Sequence, residues 1–113
     1  MRPFEYISPR TLDEATQLFI DSSPGAKFLS GGTDLLSEIK DGIERPDRLI
    51  SLADLCELRG ITCNDTGVRL GAALTLAGLS DDQLLMVHFP VLVEAANTIA
   101  TPQIRNVATL GGN

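Results

Sequence analysis

Two glycine doublets, each beside a threonine, carry the chemistry this chain offers. The first is Ser30-Gly31-Gly32-Thr33-Asp34-Leu35-Leu36 and the second is Thr109-Leu110-Gly111-Gly112-Asn113. A glycine doublet lets the backbone turn sharply and leaves main-chain N–H groups open to a ligand that a side chain would otherwise hold off. Two such loops in 113 residues suggest a large anionic ligand gripped from two sides. The first doublet separates a predicted strand from a predicted helix, where unpaired N–H groups and the helix dipole favour a phosphate. Thr33 is placed to cap that helix or to bond the ligand. Asp34 would repel a phosphate, so it must point away or meet a ligand hydroxyl. A plain strand-to-helix turn with Thr33 as its cap remains the competing reading of this loop taken alone. Two familiar nucleotide loops are excluded. Gly31-Gly32-Thr33-Asp34 has neither the spacing nor the lysine of a P-loop, and Gly-x-Gly-x-x-Gly is absent.

No catalytic or metal-binding residues stand out elsewhere. His88 is the only histidine, placed near a helix end with no nucleophile or ligand set around it. Asp81 and Asp82 are adjacent, so they face different sides of a helix and make a poor acid–base pair. Cys56 and Cys63 are too few for a disulfide framework or for an iron–sulfur cluster, and read as free structural thiols. Arg105 either reaches a phosphate or a partner chain, or braces its loop through an ion pair. Phe4 and Tyr6 are expected in the core, and Thr75 is expected to cap the segment after it.

The elements that must position the doublets follow from local pattern. Phe4 to Ser8 reads as a strand. Thr11 and Glu14 form a capping box for a helix with Leu12, Ala15, Leu18 and Phe19 on one face, ended by Asp21 to Gly25. Ala26 to Ser30 is a strand running into the first doublet, followed by a helix with Leu35, Ile39 and Ile43 on one side. Arg48 to Leu52 is a third strand. This order implies two right-handed crossovers and a small parallel sheet. Beyond it, Gly60 to Asn64 and Val68 to Ala72 flank Asp65-Thr66-Gly67 as a hairpin. Ser80-Asp81-Asp82-Gln83 reads as a second capping box, opening a helix with Leu84, Leu85 and Val87. Pro90 suits the first turn of a last helix that buries Leu92, Val93, Ala96 and Ile99. Thr101 to Asn113 reads as an ordered loop. The expected class is α+β: a parallel βαβαβ lobe over residues 1–55, then the start of a mixed, antiparallel lobe with helices over 56–113.

Composition narrows the ligand. Fifteen Asp and Glu against nine Lys and Arg give a formal net charge of −6, and the basic residues are scattered singly. A nucleic-acid or anionic-membrane surface needs a basic footprint, so neither partner is expected, while backbone amides can hold an anion without cations. No apolar run approaches the length of a membrane span, and the first residues do not read as a signal peptide. A cytoplasmic location is the expectation.

Taken together these residues resemble a known family. Ala26 to Leu36 is similar to the first FAD-binding loop of the molybdenum hydroxylase flavoproteins, and Thr101 to Asn113 to their second. Leu58-Arg59-Gly60-Ile61 and Leu70-Gly71-Ala72 fall where the family has similar runs. These proteins are the medium, FAD-carrying subunits or domains of xanthine dehydrogenase and carbon monoxide dehydrogenase relatives. The resemblance implies a fold of the p-cresol methylhydroxylase (PCMH) type with FAD between two lobes. It implies cofactor contacts at Phe28, Leu29, Ser30, Gly31, Gly32, Thr33, Asp34 and Leu35. It further implies contacts at Ile99 and at Thr109, Leu110, Gly111, Gly112 and Asn113, with the pyrophosphate on main-chain amides of both loops and Thr109 as a hydroxyl donor. The molybdenum cofactor and 2Fe–2S iron–sulfur clusters are expected on partner chains, a molybdopterin large subunit and an iron–sulfur small subunit. Electrons would pass from the clusters to the flavin and on to NAD, a quinone or oxygen, so the chain is expected to be part of an oxidoreductase. Relatives continue past the second doublet, and the chain is therefore expected to be an N-terminal portion. A cofactor-free interaction module of the same lobe, and a PCMH-type flavin oxidoreductase outside the molybdenum system, remain the alternatives.

Overall fold

Local capping sets the first helix and fixes the chain direction into the sheet. In the computed structural model, which describes residues 3–112, helix α1 spans Leu12–Ser22, and Thr11 Oγ1 accepts from Glu14 N at 3.1 Å. The Glu14 carboxylate reaches back one residue further than a standard capping box, accepting from Arg10 N at 3.3 Å. Glu57 Oε1 accepts from Leu12 N across 45 residues. The open amides of this helix end therefore go to side chains.

Strands β1 (Glu5–Ile7), β2 (Ala26–Leu29) and β3 (Arg48–Ser51) form a parallel sheet in the order β1-β3-β2. The last of the three in sequence is central, and it is the most buried: Leu49, Ile50 and Ser51 are all inside, as a strand covered on both faces requires. Ile50 packs with Ala15 of α1, Ala26 of β2 and Leu55, joined by Leu18, Phe19, Leu52 and Leu58. Arg48 ties the sheet to its surroundings, donating from Nη2 to Glu5 Oε2 at 2.8 Å and from Nη1 to Ser22 Oγ at 2.6 Å. The connection from β2 to β3 carries helix α2, Leu35–Lys40. It ends three residues before Ile43, which is 72% exposed instead of lying on the helix's inner face. Gly42 N–H bonds back to Ile39 O and the chain leaves the helix there. Tyr6, expected inside, is 56% exposed on the edge strand β1.

A 3-10 turn, Cys56–Leu58, leads into the hairpin of β4 (Ile61–Asn64) and β5 (Gly67–Leu70). Its turn is held by Asn64 Oδ1, which accepts from Thr66 N, Thr66 Oγ1 and Gly67 N, an Asx arrangement. Both cysteines are exposed and unpaired with each other. Helix α3 (Leu76–Ser80) was not legible in the sequence as a helix; Thr75 caps it by accepting from Gly78 N at 3.0 Å. Ser80 consequently ends α3 and does not open the next helix. Asp82 caps α4 (Gln83–His88), accepting from Leu85 N at 3.0 Å. Of the apolar residues expected on α4's inner side, Leu85 is fully buried while Val87 is 72% exposed. Helix α5 (Pro90–Asn97) begins at Pro90 and buries Val93 and Ala96, with Leu92 and Ile99 packed at the edge of the same cluster. Leu76, Leu79 and Leu85 complete that cluster, and Ile61, Val68 and Leu70 of the hairpin cover it. The tail expected to be irregular contains one further turn of helix, α6 (Pro102–Arg105), capped by Thr101. Among the described residues no helix is long and apolar enough to cross a membrane.

Two contrasting substitutions test this account. Ile50→Ala is expected to lower the unfolding free energy of the intact polypeptide by about 2–5 kcal/mol, while Ile43→Ala should cost less than about 0.5 kcal/mol. Urea denaturation followed by circular dichroism distinguishes them, and comparable losses would contradict the placement of Ile43.

Candidate functional site

The two doublets lie 79 residues apart and meet through side chains and backbone at once. Ser30 Oγ and Thr109 Oγ1 are 2.7 Å apart, and Thr109 is buried. Next to them the first loop presses on the backbone of the second. A Cβ on Gly31 would collide with the Val107 carbonyl oxygen and stand 3.0 Å from Ala108 Cα. Only glycine permits that approach. The chain then passes through φ +78° at Gly32 and enters α2, whose N-cap position is Asp34, not Thr33, with no side-chain bond to the helix.

The second doublet is anchored from below by an irregular antiparallel pairing that the sequence did not reveal. Leu76 N donates to Ala108 O at 2.9 Å, Leu110 N to Leu74 O at 2.9 Å and Gly111 N to Ala72 O at 2.7 Å, with Thr75 opposite Thr109. Gly111 sits so close that a Cβ there would lie 2.9 Å from Ala72 Cβ. Gly112 N donates to Thr109 Oγ1 at 3.2 Å. The three described amides after Thr109 thus all have acceptors in the protein.

The first loop is the opposite case. Among the described residues, the N–H groups of Gly31, Gly32, Thr33, Asp34 and Leu35 donate to no protein acceptor. All five residues line a cleft of about 450 Å³ between the two loops. Such a succession of free amides in a turn is a concavity for an anion, and unsatisfied donors of this kind are costly unless water or a ligand takes them. With six residues, α2 adds little dipole; the loop's own amides carry the polarity.

Most of the expected contact residues converge on this cleft. Phe28, Ser30, Ile99, Thr109, Gly111 and Gly112 line it with the five just named. The Phe28 ring is backed by Phe19, stacked at 4.6 Å between centroids and 11° between planes. Leu29 and Leu110 do not line it: Leu29 packs beside Gly32 and Leu110 against the helical core. Asn113 lies outside the described residues. Leu52, Ala72, Ala100, Ile104 and Ala108 also line the cleft and were missed. The small size of Ala72, Ala100 and Ala108 was the available signal, since close approach of two loops demands small side chains. Asp34 is the one charged residue in the lining, so nothing but main-chain and hydroxyl groups meets an anion there. Among the described residues no group of three or more His, Cys, Asp or Glu is placed to hold a metal ion. Arg105 braces its loop as one alternative held, but through carbonyls: Nη1 donates to Asn97 O at 3.1 Å and to Ile99 O at 3.0 Å.

The α+β architecture, with two glycine loops facing one cleft, is of the PCMH type shared with the carbon monoxide dehydrogenase structures it superposes on. Residues 2–113 match the family described as the FAD binding domain in molybdopterin dehydrogenase, and the chain belongs to that family. It is 44% identical over 109 residues to the xanthine dehydrogenase FAD-binding subunit of Escherichia coli O157:H7, covering 96% of this chain and 37% of that protein. It is 37% identical to the carbon monoxide dehydrogenase medium chain of Hydrogenophaga pseudoflava, covering 97% and 38%. Reconstituted CO dehydrogenase from Oligotropha carboxidovorans superposes with a TM-score of 0.95 at 32% identity, over 98% of this chain and 39% of that one. The chain thus spans about two fifths of the length of these relatives.

The junction of the loops gives a direct test. Thr109→Val removes the bond to Ser30 and the acceptor of Gly112 N, and is expected to destabilise by about 1–3 kcal/mol. Ser30→Ala, which removes one bond at a half-buried position, should cost less. Equal effects in urea denaturation would contradict the double role of Thr109.

Proposed function

We propose that this chain is the FAD-binding portion of an electron-transfer flavoprotein subunit in a molybdenum hydroxylase-type dehydrogenase. The observation that carries the reading is the run of five residues, Gly31 to Leu35, that line the cleft and whose amides have no acceptors in the protein. Such amides suit a pyrophosphate, which needs several donors, while Asp34, the one carboxylate in the lining, must point away from it. Family membership supports FAD as the particular ligand and favours this reading over a PCMH-type flavin oxidoreductase outside the molybdenum system.

Each residue has a task in this proposal. Gly31 to Leu35 donate main-chain bonds to the pyrophosphate. The carboxylate of Asp34 accepts from a sugar hydroxyl at the rim, where it stabilises a neutral group. Phe28, Leu52, Ile99 and Ile104 exclude water from the apolar parts of the ligand. Thr109, Gly111 and Gly112 hold the far wall, since their own bonds are already made within the protein. When bound, the flavin supplies the redox chemistry, accepting and releasing electrons. As the family resemblance implies, an iron–sulfur small subunit and a molybdopterin large subunit would be partners, and relatives named as dehydrogenase subunits and medium chains support a place within an oxidoreductase complex. We also propose two lobes, residues 1–55 and 56–113. Their cores support the division, although Leu58 packs with the first cluster.

The intact polypeptide is expected to copurify with FAD. In an apoprotein titration followed by flavin fluorescence, Gly31→Val should weaken binding by at least about a hundredfold, because the new side chain forces the loops apart. ADP should compete and adenosine should not. A wild-type polypeptide that binds no FAD would overturn the reading and leave the cofactor-free interaction module in its place.

A further inference from the structure

The segment that closes α5 onto α6 contains the one described non-glycine residue with a positive φ, Ala100 at +48°. A side chain in the left-handed region is uncommon and costs free energy. It persists only where the surroundings over-determine it, and such residues cluster at ligand sites. Ala100 lines the cleft, between Ile99 and Ile104, which line it too. What holds it is not in the cleft. Arg105, at the end of α6, turns back so that one nitrogen, Nη1, bonds the carbonyls of Asn97 and Ile99 on the far side of the turn. Thr101 fixes the near side through its own cap, accepting from Ile104 N at 3.2 Å, and Arg105 N donates to Thr101 O at 2.9 Å. The turn is therefore clamped on both flanks of Ala100, and only the Arg105 clamp crosses it.

We propose that Arg105 is a positioning residue for the cofactor cleft: by bonding the Asn97 and Ile99 carbonyls it holds Ala100 left-handed and so fixes the Ile99–Ala100 wall in its ligand-ready shape. This rests on the reading of the cleft as the FAD site. Arg105 touches no ligand in this scheme; it acts through the turn. Without it the segment relaxes to ordinary backbone angles, and the wall must be reordered each time the cofactor enters. That cost falls on binding.

The test is a three-variant series in the intact polypeptide, reading FAD affinity by apoprotein titration alongside thermal unfolding without FAD. Arg105→Ala is expected to weaken FAD about five- to fiftyfold, the range that one strained residue's conformational cost allows. Adding Ala100→Gly to Arg105→Ala is expected to recover most of that loss, because glycine adopts the left-handed region without penalty. Ala100→Gly alone is the reference for the double variant: with glycine at 100, losing Arg105 should change affinity far less than it does with alanine. Should Arg105→Ala fail to fold, Arg105→Met, which keeps an apolar stem but has no donor for either carbonyl, is read the same way. Unchanged affinity in the arginine variants, or a loss that Ala100→Gly does not repair, overturns the proposal. Absence of FAD binding by the wild-type polypeptide would instead overturn the reading of the cleft.

Discussion

The structure depends on bringing residue 30 against residue 109 and keeping them there. The hydroxyl bond between Ser30 and Thr109 is short, but the constraint beneath it is steric. Gly31 lies so close to the Val107–Ala108 backbone that no side chain fits between them. Everything else serves that meeting. The parallel sheet delivers Ser30 from the end of β2, and the pairing of residues 72–76 with 108–111 delivers Thr109. A cleft forms there because the backbones touch at one point and diverge beyond it.

The two doublets are alike in sequence but not in hydrogen bonding. Those of the second loop have spent their amides on Leu74, Ala72 and Thr109, so that loop is a wall. The first has kept its amides free, so in the proposed reading it is the donor. A chain with a net charge of −6 can still attract a phosphate at such a place, because the partial charges of fixed amides act at contact distance, while scattered surface carboxylates are screened by salt. In the proposed reading Asp34 meets a sugar hydroxyl and not the anion.

Much of this was legible from residue pattern. Thr11 with Glu14, Pro90 and the Asp65-Thr66 turn each announce an element through local chemistry, and each forms where expected. Local signals failed where two choices were nearly equal. Ser80 and Asp82 both suit an N-cap, and only the presence of α3, which needs Ser80 as its last residue, decides between them. Ile43 continues a helical period but lies past the turn that Gly42 makes. The cleft was legible as two loops and as a resemblance. Its Ala72 and Ala108 lining was not, beyond the small size of those residues, because it arises from pairing between segments more than thirty residues apart in sequence. Nor does any residue type announce the left-handed turn at Ala100, which is imposed by Arg105 from beyond it.

The central claim is that the first loop gives its amides to the ligand while the second supports it. Residue-resolved amide hydrogen exchange on the intact polypeptide, with and without FAD, tests it most directly. The account predicts that exchange at Gly31 to Leu35 is fast in the apoprotein and slows on binding. Gly111, already bonded to Ala72, should be protected in both states. Slow exchange at Gly31 to Leu35 before any ligand is added, or protection by FAD at Leu110 to Gly112 alone, would contradict it.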